Sequence, residues 1–199
     1  MFGFGFELEL VIIYFYLYDM VSSGTKSSSL LAKIKHFDPV AIGLGPKFNL
    51  LDYATLKGWG CKVPQSKLFQ YLKDVGDGSI AKETPDCSVS KYPHGDGKTR
   101  LISTTDFFYP LVEDPYFQGR IACCNTLSDL YAMGITRVDH ILMILGVSLM
   151  MNEEQREIVT REMMRGFNDC ATEAGTLVTG GQSVMNPWPM IGGVANAMC

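Results

Sequence analysis

Three aspartates, Asp86, Asp106 and Asp129, sit close to the ends of segments that read as regular structure. Carboxylate oxygens are hard donors, the kind that hold Mg²⁺ between a protein and the phosphates of a nucleotide. The run Gly180-Gly181-Gln182-Ser183 follows a short apolar stretch, and paired glycines let backbone N–H groups approach an anion closely. Together these groups point to a site for a cation and an anion, with a nucleotide as the ligand that offers both. Each also has a plainer reading, because a Gly-Gly pair is usually a turn and a lone aspartate a solvated loop residue. Asn125 and Asp129 stand four apart in a mostly apolar stretch, so they share one helix face. Charged side chains seldom point into a core unless paired or bound to metal. The pair is therefore either a hydrogen-bonded contact between helix and sheet or a part of that site. Gly97-Lys98-Thr99 imitates the end of a phosphate-binding P-loop, but Tyr92 stands where the pattern needs glycine. A strand also follows the lysine instead of a helix, which excludes that motif.

The elements that must position these groups follow from periodicity and breakers. Phe37 to Tyr53 is loop-like, with Pro39, Gly43, Gly45 and Pro46. The turn Gly58-Trp59-Gly60 runs through Cys61 into Lys62, and Pro64 opens a helix over 65–75. Asp86 to Tyr92 reads as a strand, Gly95-Asp96-Gly97 as a hairpin turn, and Arg100 to Thr105 as the return strand. A helix from Tyr116 to Met133 stops at Gly134. Val138 to Val147 is a buried strand. Asn152 to Gln155 forms a capping box that opens a helix with Val159, Met163, Phe167, Cys170 and Ala174 on one face. Thr176 to Thr179 is a short strand ending in Gly180-Gly181, and Ile191 to Cys199 is the last one, after the break at Pro187 to Pro189. The order β, β, α, β, α, β, β predicts an α+β fold, a mixed β-sheet with helices packed on one face.

Composition fits that fold. The 199 residues are 47% hydrophobic and 19% charged, enough for a packed core. The net charge of −4 argues against a nucleic-acid partner, since phosphate backbones are held by basic patches. The six cysteines form no C-x-x-C pair, and the three histidines lack zinc spacing, which suits reduced thiols in a cytoplasmic protein. Residues 1–36 differ from the rest, being apolar and then Ser-rich. Glu7, Glu9 and Asp19 count against a spanning helix, and no positive charge precedes Lys26 as a signal peptide would require. That stretch reads as an atypical extension, with no membrane partner expected, and 37–199 as the functional domain.

Four motifs then carry a resemblance. They are Lys57-Gly58-Trp59-Gly60-Cys61-Lys62-Val63-Pro64-Gln65, the run from Thr104 to Pro110 (TTDFFYP), the run from Asp114 to Gly134 (DPYFQGRIACCNTLSDLYAMG), and Thr179 to Ser183 with Asn186-Pro187-Trp188. In this order they resemble the amino-terminal half of the selenophosphate synthetases (selenide, water dikinases), within the aminoimidazole ribonucleotide synthetase-like superfamily. The resemblance covers about Phe37 to Cys199. It implies the reaction of ATP, selenide and water to selenophosphate, AMP and phosphate, with Mg²⁺ as cofactor, in a homodimer built from the amino-terminal domains.

Carried over motif by motif, Lys62 corresponds to the lysine that contacts phosphate. Asp86 and Asp129 correspond to Mg²⁺ ligands, and Asp106, Asp129, Gly181, Gln182 and Ser183 to residues of the ATP site, with Asn125 beside the phosphates. Two departures stand out. Trp59 occupies the position of the family's catalytic cysteine or selenocysteine, and indole offers neither a lone pair nor a usable pKa for that chemistry. Either a UGA codon for selenocysteine has been rendered as tryptophan, or the chain is a paralogue that has lost selenide use and acts by heterodimerising with an active synthetase. The intact motif around Trp59 favours the codon reading. The family also continues into a carboxy-terminal domain that this sequence lacks, so the chain alone is expected to bind nucleotide poorly.

Overall fold

The structure is a computed structural model that describes residues 36–58, 61–73, 75, 87–91 and 97–199. Trp59, Asp86 and the apolar stretch before residue 36 lie outside the described residues. The chain divides into two units, Met1–Pro46 and Lys47–Cys199. In the first, a 3-10 turn at Val40–Ile42 is stopped by Gly43 at φ 91°.

The second unit holds the elements that matter for the site. In chain order they are α1 (Gln65–Leu72), β1 (Ser88–Lys91), β2 (Arg100–Phe108), α2 (Pro115–Ala132), β3 (His140–Ser148), α3 (Glu153–Glu173), β4 (Val178–Asn186) and β5 (Met190–Met198). The expected succession of strands and helices is borne out. The five strands form one mixed sheet in the order β1-β2-β5-β3-β4. Strand β3 is parallel to β4, and the other neighbours are antiparallel. The β1–β2 pairing matches the expected hairpin, with Gly97 at φ 73° on its return.

Alternation along the strands decides which side is covered. Ile102, Thr104 and Phe108 of β2, Ile141, Met143 and Leu145 of β3, and Ile191, Ala195 and Ala197 of β5 are buried. They form the floor on which α2 lies over β2 and β5, while α3 packs on α2 and touches β3. The opposite face carries Phe107, Leu142 and Met198, all exposed. A polar row crosses it, in which Ser103 Oγ donates to Asn196 Oδ1 at 2.7 Å and Asn196 Nδ2 lies 3.3 Å from His140 Nε2.

Local signals at the helix starts match the sequence. Asp114 caps α2, accepting from the N–H groups of Tyr116 and Phe117, and Pro115 fills the first turn, where no N–H is missed. Burial raises the Asp114 carboxyl above its usual range, against those two hydrogen bonds. Asn152 and Gln155 make the capping box of α3. Two boundaries need correction. Strand β2 runs on to Phe108 instead of stopping near Thr105, because its pairing with β5 extends from Leu101↔Met198 to Phe108↔Ile191. Helix α1 ends at Leu72 instead of Val75.

Helices α2 and α3 meet backbone to backbone. A Cβ on Gly119 would fall 2.0 Å from the Met163 carbonyl oxygen, and one on Gly166 would fall 1.9 Å from that of Tyr116. Around this crossing Arg120 pairs with both carboxylate oxygens of Glu173, and Tyr116 Oη donates to Asp169 at 2.9 Å. Gly166→Ala would gain ~1 kcal/mol of helix propensity but force the helices apart. The variant is expected to lose about 1–3 kcal/mol in urea unfolding, as overpacked cores do. A more stable variant would show that the backbones do not touch.

Candidate nucleotide-phosphate site

The site is built where β2 and α2 converge. Thr104 points to the helix side of β2 and is 3% exposed, and its hydroxyl donates to Asp129 Oδ2 at 2.7 Å. The polar contact between helix and sheet that the spacing suggested is therefore present, through Asp129 to Thr104. Asp106 follows two positions after Thr104, hence on the same face and about 7 Å further along the strand. Helix α2 runs against β2, since Gln118 in its first turns bonds to Leu111 beyond the strand's end and Asp129 near its own end bonds to Thr104. One turn back from Asp129 is Asn125, a shift of about 6 Å, which brings it level with Asp106. Asn125 is 4% exposed, and its Nδ2 has no hydrogen-bond partner among the described residues. A buried amide donor left unpaired is costly.

A second arm comes from the glycine-rich segment. Gly58 forms an isolated bridge with Tyr109, and its N–H donates to the Pro110 oxygen at 3.3 Å. Its φ is +47°, and a Cβ there would meet Leu111 Cδ2 at 2.1 Å, so only glycine fits. Lys57 is tied down by donating to the carbonyls of Leu51 and Ala54, and Cys61 Sγ lies 2.9 Å from the Gly58 oxygen. Lys62 is exposed and makes no ion pair among the described residues. Four residues of chain hold it within about 14 Å of Gly58, at the end of β2 that carries Asp106.

Gly181, Gln182 and Ser183 are placed differently from the expectation. Gly180-Gly181 is not a turn after a short strand but the middle of β4, which continues to Asn186. A Cβ on Gly181, at φ +151°, would lie 1.9 Å from the Met143 oxygen, so glycine is what allows β3 to pair there. The three residues are exposed on the outermost strand. Register nevertheless links them to the first cluster. Asp106 pairs with Gly193, Gly193 with Met143, and Met143 with Gly181, one row across the sheet. Three strand spacings make that row about 14 Å long. The structure thus sets Asp106 on the helix side of β2 and Asn125 and Asp129 on α2 against it, leaves Lys62 tethered near that strand end, and puts Gly181 to Ser183 at the far end of the row. Sequence reasoning missed Thr104, whose only signal was its alternation with Ile102 and Asp106.

The family model for AIR synthase related protein, N-terminal domain, matches residues 85–198. The chain belongs to that family. It is 51% identical over 170 residues to the selenide, water dikinase of Trypanosoma brucei brucei, across 83% of this chain and 43% of the relative. It is 43% identical over 212 residues to selenide, water dikinase 2 of Homo sapiens, across 89% and 46%. The resemblance to selenide, water dikinases drawn from the motifs is borne out. The chain spans less than half the length of these curated relatives. Among solved structures, AaThiL complexed with AMPPCP and TMP shares the fold, with a TM-score of 0.50, 14% identity, and coverage of 69% of this chain and 44% of that one.

Among the described residues no three His, Cys, Asp or Glu side chains gather to hold a metal ion. Mg²⁺ does not require such a cage, because it commonly takes one or two carboxylates plus substrate phosphates and water. Asp129 fits that pattern as a single carboxylate ligand, and the Asn125 amide, without a partner among the described residues, fits a phosphate oxygen. Thr104→Val keeps the shape and removes the hydroxyl. It is expected to cost about 1.5–3 kcal/mol in denaturant unfolding, as for a hydrogen bond to a charged group, with Thr104→Ser restoring most of it. A valine variant as stable as the parent would show that the bond does not hold Asp129.

Proposed function

We propose that this chain is the amino-terminal, ATP-binding half of a selenophosphate synthetase, the domain in which ATP, selenide and water give selenophosphate, AMP and phosphate. What supports this reading is the Thr104–Asp129 bond across the β2–α2 seam, with Asn125 one helical turn from Asp129 and Asp106 two positions from Thr104, in a chain whose curated relatives are selenide, water dikinases. In that role Asp129, with Asp86, would hold Mg²⁺, whose charge offsets that of the triphosphate. Asp129 is presented in one orientation by Thr104. Asn125 donates to a phosphate oxygen, and Asp106 lines the nucleotide. Lys62, exposed at the end of a short tether, closes on the phosphates and offsets negative charge developing during transfer.

Gly181, Gln182 and Ser183 line the nucleotide from β4. Two features support a homodimer that would complete the site. The sheet face opposite the helices exposes Phe107, Leu142 and Met198, and β4 is exposed nearly throughout. The remaining length of the relatives corresponds to a second domain that supplies the rest of the ATP site. Among the described residues no helix is long and apolar enough to cross a membrane, and a cytoplasmic enzyme is the reading adopted.

Trp59 favours a second reading, a non-catalytic paralogue paired with an active synthetase, and codon 59 separates the two. UGA, with a selenocysteine-insertion element in the transcript, supports the enzyme, whereas UGG supports the paralogue. Nucleotide binding tests the site itself. Calorimetry is expected to show Mg²⁺-dependent ATP binding weaker than micromolar, reduced about tenfold, or ~1.4 kcal/mol, by Lys62→Ala and by Asp129→Asn. Binding unchanged in both variants would contradict the proposal.

A further inference from the structure

Three cysteines meet beside the crossing of α2 and α3, and the proposed function uses none of them. Cys123 and Cys124 come one turn after Gly119, and Cys170 one turn after Gly166, next to the point where the two backbones touch. Cys124 Sγ and Cys170 Sγ are 3.5 Å apart. Cys123 is wholly enclosed, while Cys124 and Cys170 keep 8% and 6% of their surface. Hydrogen bonding with Cys123 and Cys124 lowers the Cys170 pKa against the effect of burial, with Arg120 adding to the fall. The same hydrogen bonds, with burial, push Cys123 and Cys124 up. One sulfur of the group is thus the favoured thiolate, and a second lies within reach of it.

We propose that Cys124 and Cys170 are an oxidisable pair, a modification site at which a disulfide ties α2 to α3 one residue from Asn125. The oxidant is a hydroperoxide. The Cys170 thiolate attacks the peroxide oxygen, the O–O bond breaks, and Cys170 becomes a sulfenic acid as hydroxide leaves and takes a proton. The Cys124 sulfur then attacks that sulfur, the S–S bond forms, and water leaves with the thiol proton. In sum, two thiols and one hydrogen peroxide give one disulfide and two waters. The sulfurs must close from 3.5 Å to about 2.05 Å, and a disulfide needs Cα atoms within about 7 Å. Cys123 has no open surface and stays reduced. The consequence for the site is direct, because α2 carries Asn125 and Asp129, and the link fixes it to α3.

The test is peptide mapping of the full chain, alkylated without reduction after exposure to hydrogen peroxide. The expected product joins the peptides of Cys124 and Cys170 with loss of two hydrogens. It forms equally in Cys123→Ala, is absent in Cys124→Ala, and is reversed by dithiothreitol. Oxidised protein is expected to unfold several degrees above the reduced form. Tandem fragmentation between residues 123 and 124 of the parent peptide assigns the bonded sulfur, so the outcome does not depend on the variants folding. A folded chain that stays unlinked, that reaches sulfinic acid at Cys170 without cross-linking, that links through Cys123, or that links only in urea overturns the proposal.

Discussion

A hydrogen bond of 2.7 Å joins Thr104 to Asp129 across the contact of β2 with α2, and the candidate site depends on it. A carboxylate near a helix–sheet seam loses water, and a charge that loses water must regain partners. Thr104 supplies one from a fully covered position. It thereby fixes the register of helix against strand, which brings Asn125 level with Asp106. A slip of one residue along β2 would turn Thr104 and Asp106 to the opposite face of the sheet and dissolve the cluster.

Glycines set the distances that this contact requires. Gly119 and Gly166 let α3 press closely on α2, so α2 is held by its neighbour helix as well as by the sheet. Gly58 seats the glycine-rich segment against Leu111, and Leu111 is in turn bonded to Gln118 of α2 at 2.8 Å. The segment leading to Lys62 is therefore fastened to the helix that carries Asp129. The oxidisable cysteines lie on the same crossing, so one close helix contact underlies both the site and its proposed modification.

Much of the fold was legible because its signals are local. The capping box at Asn152, the stop at Gly134 and the apolar stripe of α3 each need only a few neighbouring residues to be recognised. Strand lengths were less legible. Gly180 and Gly181 look like a turn, since glycine weakens strands, yet the approach of the Met143 oxygen makes glycine the residue that fits. Both faces of β2 mix polar and apolar residues, so alternation alone did not reveal that Thr104 faces the helix. The row from Asp106 to Gly181 depends on pairings between distant strands, which no spacing encodes. Asp129 and Asn125 were readable as a face, and Thr104, the partner of Asp129, was not. The cysteines were counted as ordinary thiols, because Cys124 and Cys170 become neighbours only through the packing of two helices.

The central claim is that Asp129, at the seam of β2 and α2, and not some other acidic patch, receives the cation of a metal–nucleotide complex. The described chain offers a rival patch at the start of α3, where Glu153, Glu154 and Glu157 are exposed. Paramagnetic broadening of backbone amide signals by Mn²⁺ in the presence of ATP distinguishes the two, even when binding is weak. The account predicts that the first signals to vanish belong to residues around Asp106, Asn125 and Asp129. Broadening centred on Glu153 to Glu157, with the β2–α2 seam unaffected, would contradict it.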